Sequence, residues 1–397
     1  MTVTTPAGFR SAGITVGLKT SGKPDLALVV NDGPAPASAV VFTSNRAQAN
    51  PILWSRKVAQ NGAARAVILN SGGANCFTGD FGYETTRLTA EAVARELAAE
   101  PQGVVPAEVL ADGAERVLVC STGLIGTGDQ AFRDKIVDGV PGLVAALAAD
   151  DVTAPAAILT TDSVEKTAVH EGDGWTIGAM AKGAGMLAPG LATMLVVITT
   201  DAKLDAEALD AALRRATGVS FDRLDSDGCM STNDQVTLLA SGASDVTPDA
   251  TEFAAALAGV CDSLAAQLQA DAEGASHDID IEVRGAASVE DAVEVGRSVA
   301  RNNLFKAAIF GNDPNWGRVL AAIGTTEAAF DPYAVDVSFN GVRLCHAGAP
   351  DRPVEECDLT PRKTHVEIDL FAGTFAATVR TNDLTHDYVH ENSAYSS

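Results

Sequence analysis

Short hydrophobic runs bounded by turn residues recur through the first half of the chain. They are rich in Val, Ile and Leu, and Gly, Pro, Asn or Asp stands near their ends. Short apolar runs of this kind are typical of buried strands. The pattern therefore predicts strands at 26–30, 39–43, 65–70, 116–120 and 156–160.

Helical patterns alternate with these runs. Ala-rich or amphipathic segments predict helices at 88–100, 204–218 and 250–274. Gly218 is expected to stop the second helix, strict alternation at 278–283 predicts a half-buried strand, and Ser288 with Asp291 forms a capping-box pattern before a further helix. Later strands are expected at "AVDVSF" and "HVEIDLF", and a loop or strand at "THDYVH". Helices and strands thus mix throughout, which favours an α/β or α+β fold.

One stretch changes character abruptly. "KGAGMLAPGLATMLVVITTD", residues 182–201, begins with small flexible residues and ends in a β-forming run, with Thr193 at the join. A Thr hydroxyl becomes a good nucleophile when its own α-amine, with a pKa of about 7.7–8.0, acts as the base. Thr193 is internal, so this chemistry requires cleavage between Ala192 and Thr193. The alternative is that Thr193 simply begins a strand, where Thr is common.

Composition narrows the class of protein. The chain has 397 residues, 46% of them hydrophobic, which is ample for one large core or two domains. Its apolar runs are too short to span a membrane, and the N-terminus lacks the pattern of a signal peptide, so we expect a cytoplasmic protein. The net charge of −24 disfavours nucleic acid as a partner.

Cysteine and histidine give little indication of a metal site. The six Cys show no C-x-x-C spacing, and the six His show no H-E-x-x-H spacing. Buried free thiols are the expectation for Cys76, Cys120, Cys229, Cys261, Cys345 and Cys357. No metal site and no disulfide framework are predicted.

Several Gly-rich or acidic loops are candidate ligand sites. "GLKTSGKP" (17–24) nearly matches a phosphate-binding loop, but Pro24 replaces the hydroxyl residue that the motif requires. The segments at 70–80 and 120–128 each follow a strand, so either could present backbone N–H groups to a ligand or be a plain turn. The segment 225–234 fails the calcium-loop spacing, and a solvated loop is expected there.

Taken together, these segments resemble those of the ornithine acetyltransferase family, also called glutamate N-acetyltransferase. The residues 180–202 resemble that family's self-cleavage segment, and the other matching motifs fall in the family's order: "NSGGANCFTG", "STGLIG", "ILTTDS", "STNDQ", "GNDPNWGR" and "YVHENSAYSS". The resemblance covers essentially the whole chain.

The resemblance implies a particular architecture. The precursor would cut itself into an α piece, 1–192, and a β piece, 193–397, with 193–280 completing the core with the α piece and about 281–397 forming a smaller C-terminal part. The implied fold is a mixed α+β four-layer sandwich, with two β-sheets between helical layers, similar to the N-terminal-nucleophile hydrolases. Two α and two β pieces would assemble together.

It also implies a reaction. Acetyl moves from N-acetylornithine to glutamate in arginine biosynthesis without a cofactor, and some members also use acetyl-CoA. Thr193 would be the nucleophile in ping-pong catalysis, and Thr122 with Gly123 would hold the oxyanion. The implied substrate contacts are Thr160, Lys182, Thr193, Glu273, Asn392 and Ser397.

Other functions remain open at this stage. An aminopeptidase or amidase of similar architecture would use water in place of glutamate, and a paralogue in secondary metabolism would keep the family chemistry. A nucleotide-binding protein built on 17–24 and a non-catalytic domain are further alternatives.

Overall fold

The computed structural model describes residues 2–100, 113–188 and 194–394. Ala192, Thr193 and Ser397 therefore lie outside the described residues. The chain divides into two compact units. Unit 1 comprises Met1–Gly183, Gly190–Phe221 and Met230–Leu268, and unit 2 comprises Ala184–Pro189, Asp222–Cys229 and Gln269–Ser397.

Unit 1 contains two β-sheets. The first has four strands in the order β1-β2-β4-β5: β1 Phe9–Ile14, β2 Leu26–Asn31, β4 Ala66–Ser71 and β5 Val117–Thr122. The second has five strands in the order β3-β9-β8-β7-β6: β3 Ala37–Phe42, β6 Lys166–Glu171, β7 Thr176–Lys182, β8 Leu195–Thr200 and β9 Gln235–Ala240. Most of these strands are buried along their whole length, as their continuous apolar runs require.

The two sheets share one hydrophobic core. Leu28 and Ile68 from the first sheet belong to the same buried cluster as Val197 and Leu239 from the second. Helices α1 Asn50–Ala59, α2 Gly79–Ala99 and α3 Gln130–Ala145 accompany the first sheet, followed by the short α4 Ala154–Ala157. Helix α5 Ala206–Val219 packs on β3, and α6 Ala250–Ala270 lies beside β6. This arrangement confirms the predicted α+β sandwich.

Helix α6 is long and apolar enough to cross a membrane by length and composition. Its most apolar window is 56% buried inside the protein, and Leu257, Cys261 and Leu264 on its inner face are fully buried. These features match a core helix of a large domain.

Unit 2 has its own sheet and core. Its six strands are ordered β13-β12-β11-β14-β10-β15: β10 Asp278–Ala286, β11 Asp336–Phe339, β12 Val342–His346, β13 Ala349–Pro350, β14 Lys363–Asp369 and β15 Phe375–Asn382. The helices are α7 Val289–Ala300, α8 Asn303–Phe310, α9 Trp316–Ile323 and α10 His386–Ala394. The Ser288 hydroxyl accepts the Asp291 N–H at the start of α7, as the capping pattern predicted.

Three secondary-structure predictions were wrong. Residues 156–160 fall in α4 and the turn after it, because Pro155 starts a helical turn there. Gly218 lies inside α5, which ends at Val219. The segment "THDYVH" begins α10, because the Thr385 hydroxyl accepts the Tyr388 N–H and caps the helix.

The expected solvated loop at 225–234 is largely buried. Asp225 and Asp234 are fully buried, and Asn233 is nearly so. Asn233 donates to the carbonyls of Ala74 and Ser121, at 2.6 and 2.9 Å. Because these contacts are long-range, local composition gave no sign of them.

The cysteines also depart from expectation at two positions. All six are free thiols, and Cys76, Cys120, Cys261 and Cys345 are buried as predicted. Cys229 is exposed and Cys357 is partly exposed, so the prediction of a buried thiol was wrong for Cys229.

Candidate active site

Thr122 ends β5 and is held from two sides. Its carbonyl accepts the N–H groups of Gly72 and Gly73, both at 3.0 Å. Its hydroxyl accepts a hydrogen bond from the ammonium of Lys182, with 3.2 Å between Oγ1 and Nζ. Because an ammonium only donates, the Thr122 hydroxyl keeps its own hydrogen for another acceptor.

Gly123 supplies a second available donor. The carbonyl and N–H of a trans peptide point in opposite directions, so the Gly123 N–H points away from Gly72 and Gly73. It has no acceptor among the described residues. A side chain at this position, with φ of +124°, would place Cβ only 2.7 Å from the Gly73 nitrogen, so only glycine fits. Together with the Thr122 hydroxyl, this N–H is the kind of donor pair that an oxyanion hole needs.

Asp162 connects several of the predicted site residues. Its Oδ1 accepts the Lys166 ammonium at 2.7 Å and the Gly183 N–H at 2.6 Å, and its Oδ2 accepts the Thr160 N–H at 3.0 Å. Burial raises the pKa of Asp162, but the ammonium groups of Lys182 and Lys166 outweigh burial and lower the pKa to about 2. Asp162 is therefore ionised and fixes the backbone next to Lys182.

Asp234 contacts the first described amide after the proposed cut. Its Oδ1 accepts the Met194 N–H at 3.2 Å, and this amide belongs to the peptide bond with Thr193. Its Oδ2 has no hydrogen-bond partner in the described part of the chain. Burial raises the pKa of Asp234 well above its usual range, and the Ser231 hydroxyl, the Met194 N–H and the Lys182 ammonium offset this only in part.

Two of the predicted residues meet in unit 2. The Asn392 amide donates to Glu273 Oε2 at 3.0 Å. The Glu273 N–H donates to the Ala184 carbonyl at 3.0 Å, and its carboxylate lies directly over Gly185, where a Cβ would be 2.5 Å from Oε2. The carboxylate therefore lies beside the segment that leads to Thr193 along the chain.

The segment 17–24 does not form a phosphate site. The N–H groups of Val16, Leu18 and Lys19 donate to the carboxylate of Asp25, at 2.7, 2.6 and 3.1 Å. Two backbone donors of this segment, at Leu18 and Lys19, are thus occupied by the chain's own carboxylate.

The structure gathers the predicted residues into two groups. Thr122, Gly123, Thr160 and Lys182 meet in unit 1, and Glu273 and Asn392 meet in unit 2. Sequence reasoning missed Asp162 and Asp234. Their only signal was membership of the motifs "ILTTDS" and "STNDQ", which carried the resemblance without a role for either carboxylate.

Comparison with known proteins gives a match over nearly the whole chain. The model of a family described as "ArgJ family" matches residues 10–397. The Arginine biosynthesis bifunctional protein ArgJ of Streptomyces avermitilis is 58% identical over 398 residues, covering 100% of both chains. The protein of the same name from Thermobifida fusca is 54% identical over 397 residues, again with 100% of both chains covered.

A solved structure also matches. It is the ornithine acetyltransferase of Mycobacterium tuberculosis complexed with ornithine, 47% identical, with a TM-score of 0.43. The match covers 49% of this chain and 96% of that chain.

Proposed function

The chain belongs to the ArgJ family of arginine-biosynthesis acetyltransferases, and we propose that it carries the acetyl group on Thr193. The enzyme moves acetyl from N-acetylornithine to glutamate, which releases ornithine and forms N-acetylglutamate. The family assignment rests on identity above half over the full length of the curated relatives.

The nucleophile is made by the chain itself. Cleavage between Ala192 and Thr193 frees the α-amine of Thr193, and this amine takes the proton of the Thr193 hydroxyl as that hydroxyl attacks the acetyl carbonyl. Ornithine leaves with the proton, and an acetyl ester remains on Thr193. The amine of glutamate then attacks this ester, so one site performs both half-reactions in turn.

Thr122 and Gly123 stabilise the tetrahedral intermediates. The observation that supports this role is the Lys182–Thr122 hydrogen bond of 3.2 Å. It uses the hydroxyl oxygen as acceptor, leaves the hydroxyl hydrogen to donate, and places a positive charge behind the donor. An oxyanion donor of this kind contributes about 3–4 kcal/mol to transition-state stabilisation.

The charged residues bind the ends of the substrates. Lys182 pairs with a carboxylate, Glu273 pairs with the ammonium of ornithine or of Thr193, and Asn392 orients the Glu273 carboxylate through their 3.0 Å hydrogen bond. Thr160 belongs to the same group of residues as Lys182, because its N–H donates to Asp162 Oδ2. The terminal carboxylate at Ser397 is a second partner for the substrate ammonium.

Other parts of the proposal concern the assembly. The transfer needs no cofactor, and acetyl-CoA serves as an alternative acetyl donor. Two α and two β pieces form the active enzyme in the cytoplasm. Comparing N-acetylornithine with acetyl-CoA as donor, with glutamate as acceptor, tests the second activity directly.

Substitution of Thr193 tests the mechanism. The wild-type protein is expected to give two fragments on a denaturing gel, with intact masses that place the cut between Ala192 and Thr193. Thr193→Ala removes the attacking hydroxyl, so the chain should stay whole and lose at least about 10³-fold in transfer rate. Thr193→Ser keeps a hydroxyl and should still be cut.

The same preparation distinguishes transfer from hydrolysis. Glutamate should accelerate the release of ornithine from N-acetylornithine, because it resolves the acetyl ester. Release that is indifferent to glutamate would indicate a hydrolase, and full activity in an uncut chain would refute the Thr193 mechanism.

A further inference from the structure

Lys19 is a half-buried lysine near Thr122 and Gly123, and it has no role in the mechanism above. The ammonium of Lys19 donates to the Pro24 carbonyl at 2.7 Å. It forms no ion pair within the described residues, because the neighbouring Asp25 carboxylate is taken up by backbone N–H groups. The direct hydrogen-bond partner of this partly buried ammonium is a neutral carbonyl, and an ammonium has three donors, so it can still bind an anionic ligand.

The backbone places Lys19 close to Thr122 and Gly123. A Cβ on Gly72 would lie 3.0 Å from Leu18 Cβ, and a Cβ on Gly123 would lie 2.8 Å from the Gly72 carbonyl carbon. Leu18 therefore lies against Gly72, and Gly72 lies against Gly123 with no side chain between the two glycines. Lys19 follows Leu18 directly in the chain and is therefore close to these two glycines.

Lys19 also shares its electrostatic surroundings with Lys182. Burial lowers the pKa of Lys19 to about 8, with Asp25 and Asp162 raising it and the ammonium groups of Lys182 and Lys23 lowering it further. The Lys19 and Lys182 ammonium groups thus repel one another, in a protein whose net charge is −24. A ligand with two carboxylates matches such a pair.

We propose that Lys19 binds the side-chain carboxylate of glutamate and so selects the acceptor in the second half-reaction. This inference rests on the proposed function. Both substrates carry an α-carboxylate, which suits Lys182. Their other ends differ, because N-acetylornithine has an ammonium there and glutamate a carboxylate.

The protonation of Lys19 can follow the substrate. A bound carboxylate favours the charged form of a nearby lysine, and a bound ammonium favours the neutral form. Because the pKa of free Lys19 is about 8, either form is reached near neutral pH at small cost.

The test compares Lys19→Met with Lys23→Met in steady-state transfer. Lys23 is exposed in the same loop, so its substitution makes the same change in net charge. Lys19→Met should raise KM for glutamate about tenfold, the size of a partly buried ion pair. KM for N-acetylornithine should stay within about twofold. Lys23→Met removes a charge that lowers the pKa of Lys19, so it should not raise KM for glutamate.

Two further readouts separate charge from structure. The preference for glutamate over glutamine, which lacks the second carboxylate, should fall about tenfold in Lys19→Met. In the wild type, KM for glutamate should rise as pH increases through about 8, where Lys19 loses its proton. Lys19→Arg keeps its charge at that pH and should remove this rise.

The outcomes are distinct. An unchanged KM for glutamate in Lys19→Met, or equal losses with glutamate and glutamine, would overturn the role of Lys19 while leaving the acetyl transfer in place. A wild-type enzyme that transfers no acetyl from N-acetylornithine to glutamate would overturn the proposed function, and the Lys19 role with it.

Discussion

Asp234 is an ionisable group held in an apolar interior beside the proposed cleavage site. Its raised pKa means that ionisation is disfavoured in the folded state and not in the unfolded chain. The stability associated with the protonated form is fully present below the unfolded pKa of about 3.9 and is lost as pH rises through the folded pKa.

Asp234→Asn should therefore stabilise the protein increasingly as pH rises. The amide keeps the size and the oxygen that accepts the Met194 N–H, and it cannot ionise. Denaturant unfolding at several pH values measures this, and a difference independent of pH would contradict it. Asp234→Ala is the matched control, because it leaves the Met194 N–H unpaired and should cost about 1–3 kcal/mol.

At the scale of elements, the segment after β7 is notable for its partners. Residues 184–188 lie upstream of the proposed cut, yet they are hydrogen-bonded to residues downstream of it. The Met186 N–H donates to Asp227 Oδ2 at 2.7 Å, and the Ser226 N–H donates to the Leu187 carbonyl at 2.6 Å. Met186 has a φ of +54°, a conformation that these contacts help to hold.

Asp227→Ala should slow self-cleavage several-fold. Losing one hydrogen bond costs about 0.5–1.5 kcal/mol, and the segment leading to the scissile bond would then be positioned less often for attack. The cleaved fraction against time after synthesis measures this. Asp227→Asn retains an acceptor oxygen and should be cut faster than Asp227→Ala. Equal rates in the two variants would count against positioning by this hydrogen bond.

At the scale of the whole molecule, the two pieces share a single sheet. Strands β8 and β9 follow the proposed cut, and β3, β7 and β6 precede it. In the order β3-β9-β8-β7-β6, the later strands lie between earlier ones. Lys182 and Leu195 are directly paired, so the edge between β7 and β8 joins the pieces across the cut.

Fragments 1–192 and 193–397 expressed separately should fail to fold. Fragment 1–192 would expose the edges of β3 and β7 that β9 and β8 cover, and fragment 193–397 would leave β8 and β9 without those partner strands. Co-expression should recover soluble complex, and refolding of a mixture should recover more than either fragment alone. The yield of soluble protein by size-exclusion chromatography measures this. A soluble, cooperatively unfolding fragment 1–192 would contradict it.

Much of this architecture was predictable because its strands are continuously apolar. Leu195–Thr200 was evident from composition alone, since a strand buried on both faces reads as a continuous run of β-branched and apolar residues. The short apolar run at 156–160 was wrongly predicted to be a strand, because length and hydrophobicity do not distinguish a buried helical turn from a strand.

The carboxylates were harder to predict for a different reason. Asp162 acts by bringing together Thr160, Lys166 and Gly183. Its contact with Gly183 spans 21 positions along the chain, and no local pattern encodes a convergence of that range. Thr122 and Gly123 were predicted from the motif. The sequence could not show that the Gly123 N–H is available to donate, because this depends on the direction of the Thr122 carbonyl in the fold.

The interleaved sheet has a consequence for how the enzyme is made. Because the central strands β8 and β9 come from the later part of the chain, one sheet needs one copy of each piece. An excess of either piece would have no partner strands. Translation as one reading frame fixes their ratio at one to one and delivers both at the same place and time. Under the proposed cleavage, the peptide bond at 192–193 would ensure correct stoichiometry during synthesis and would become dispensable once the strands are paired.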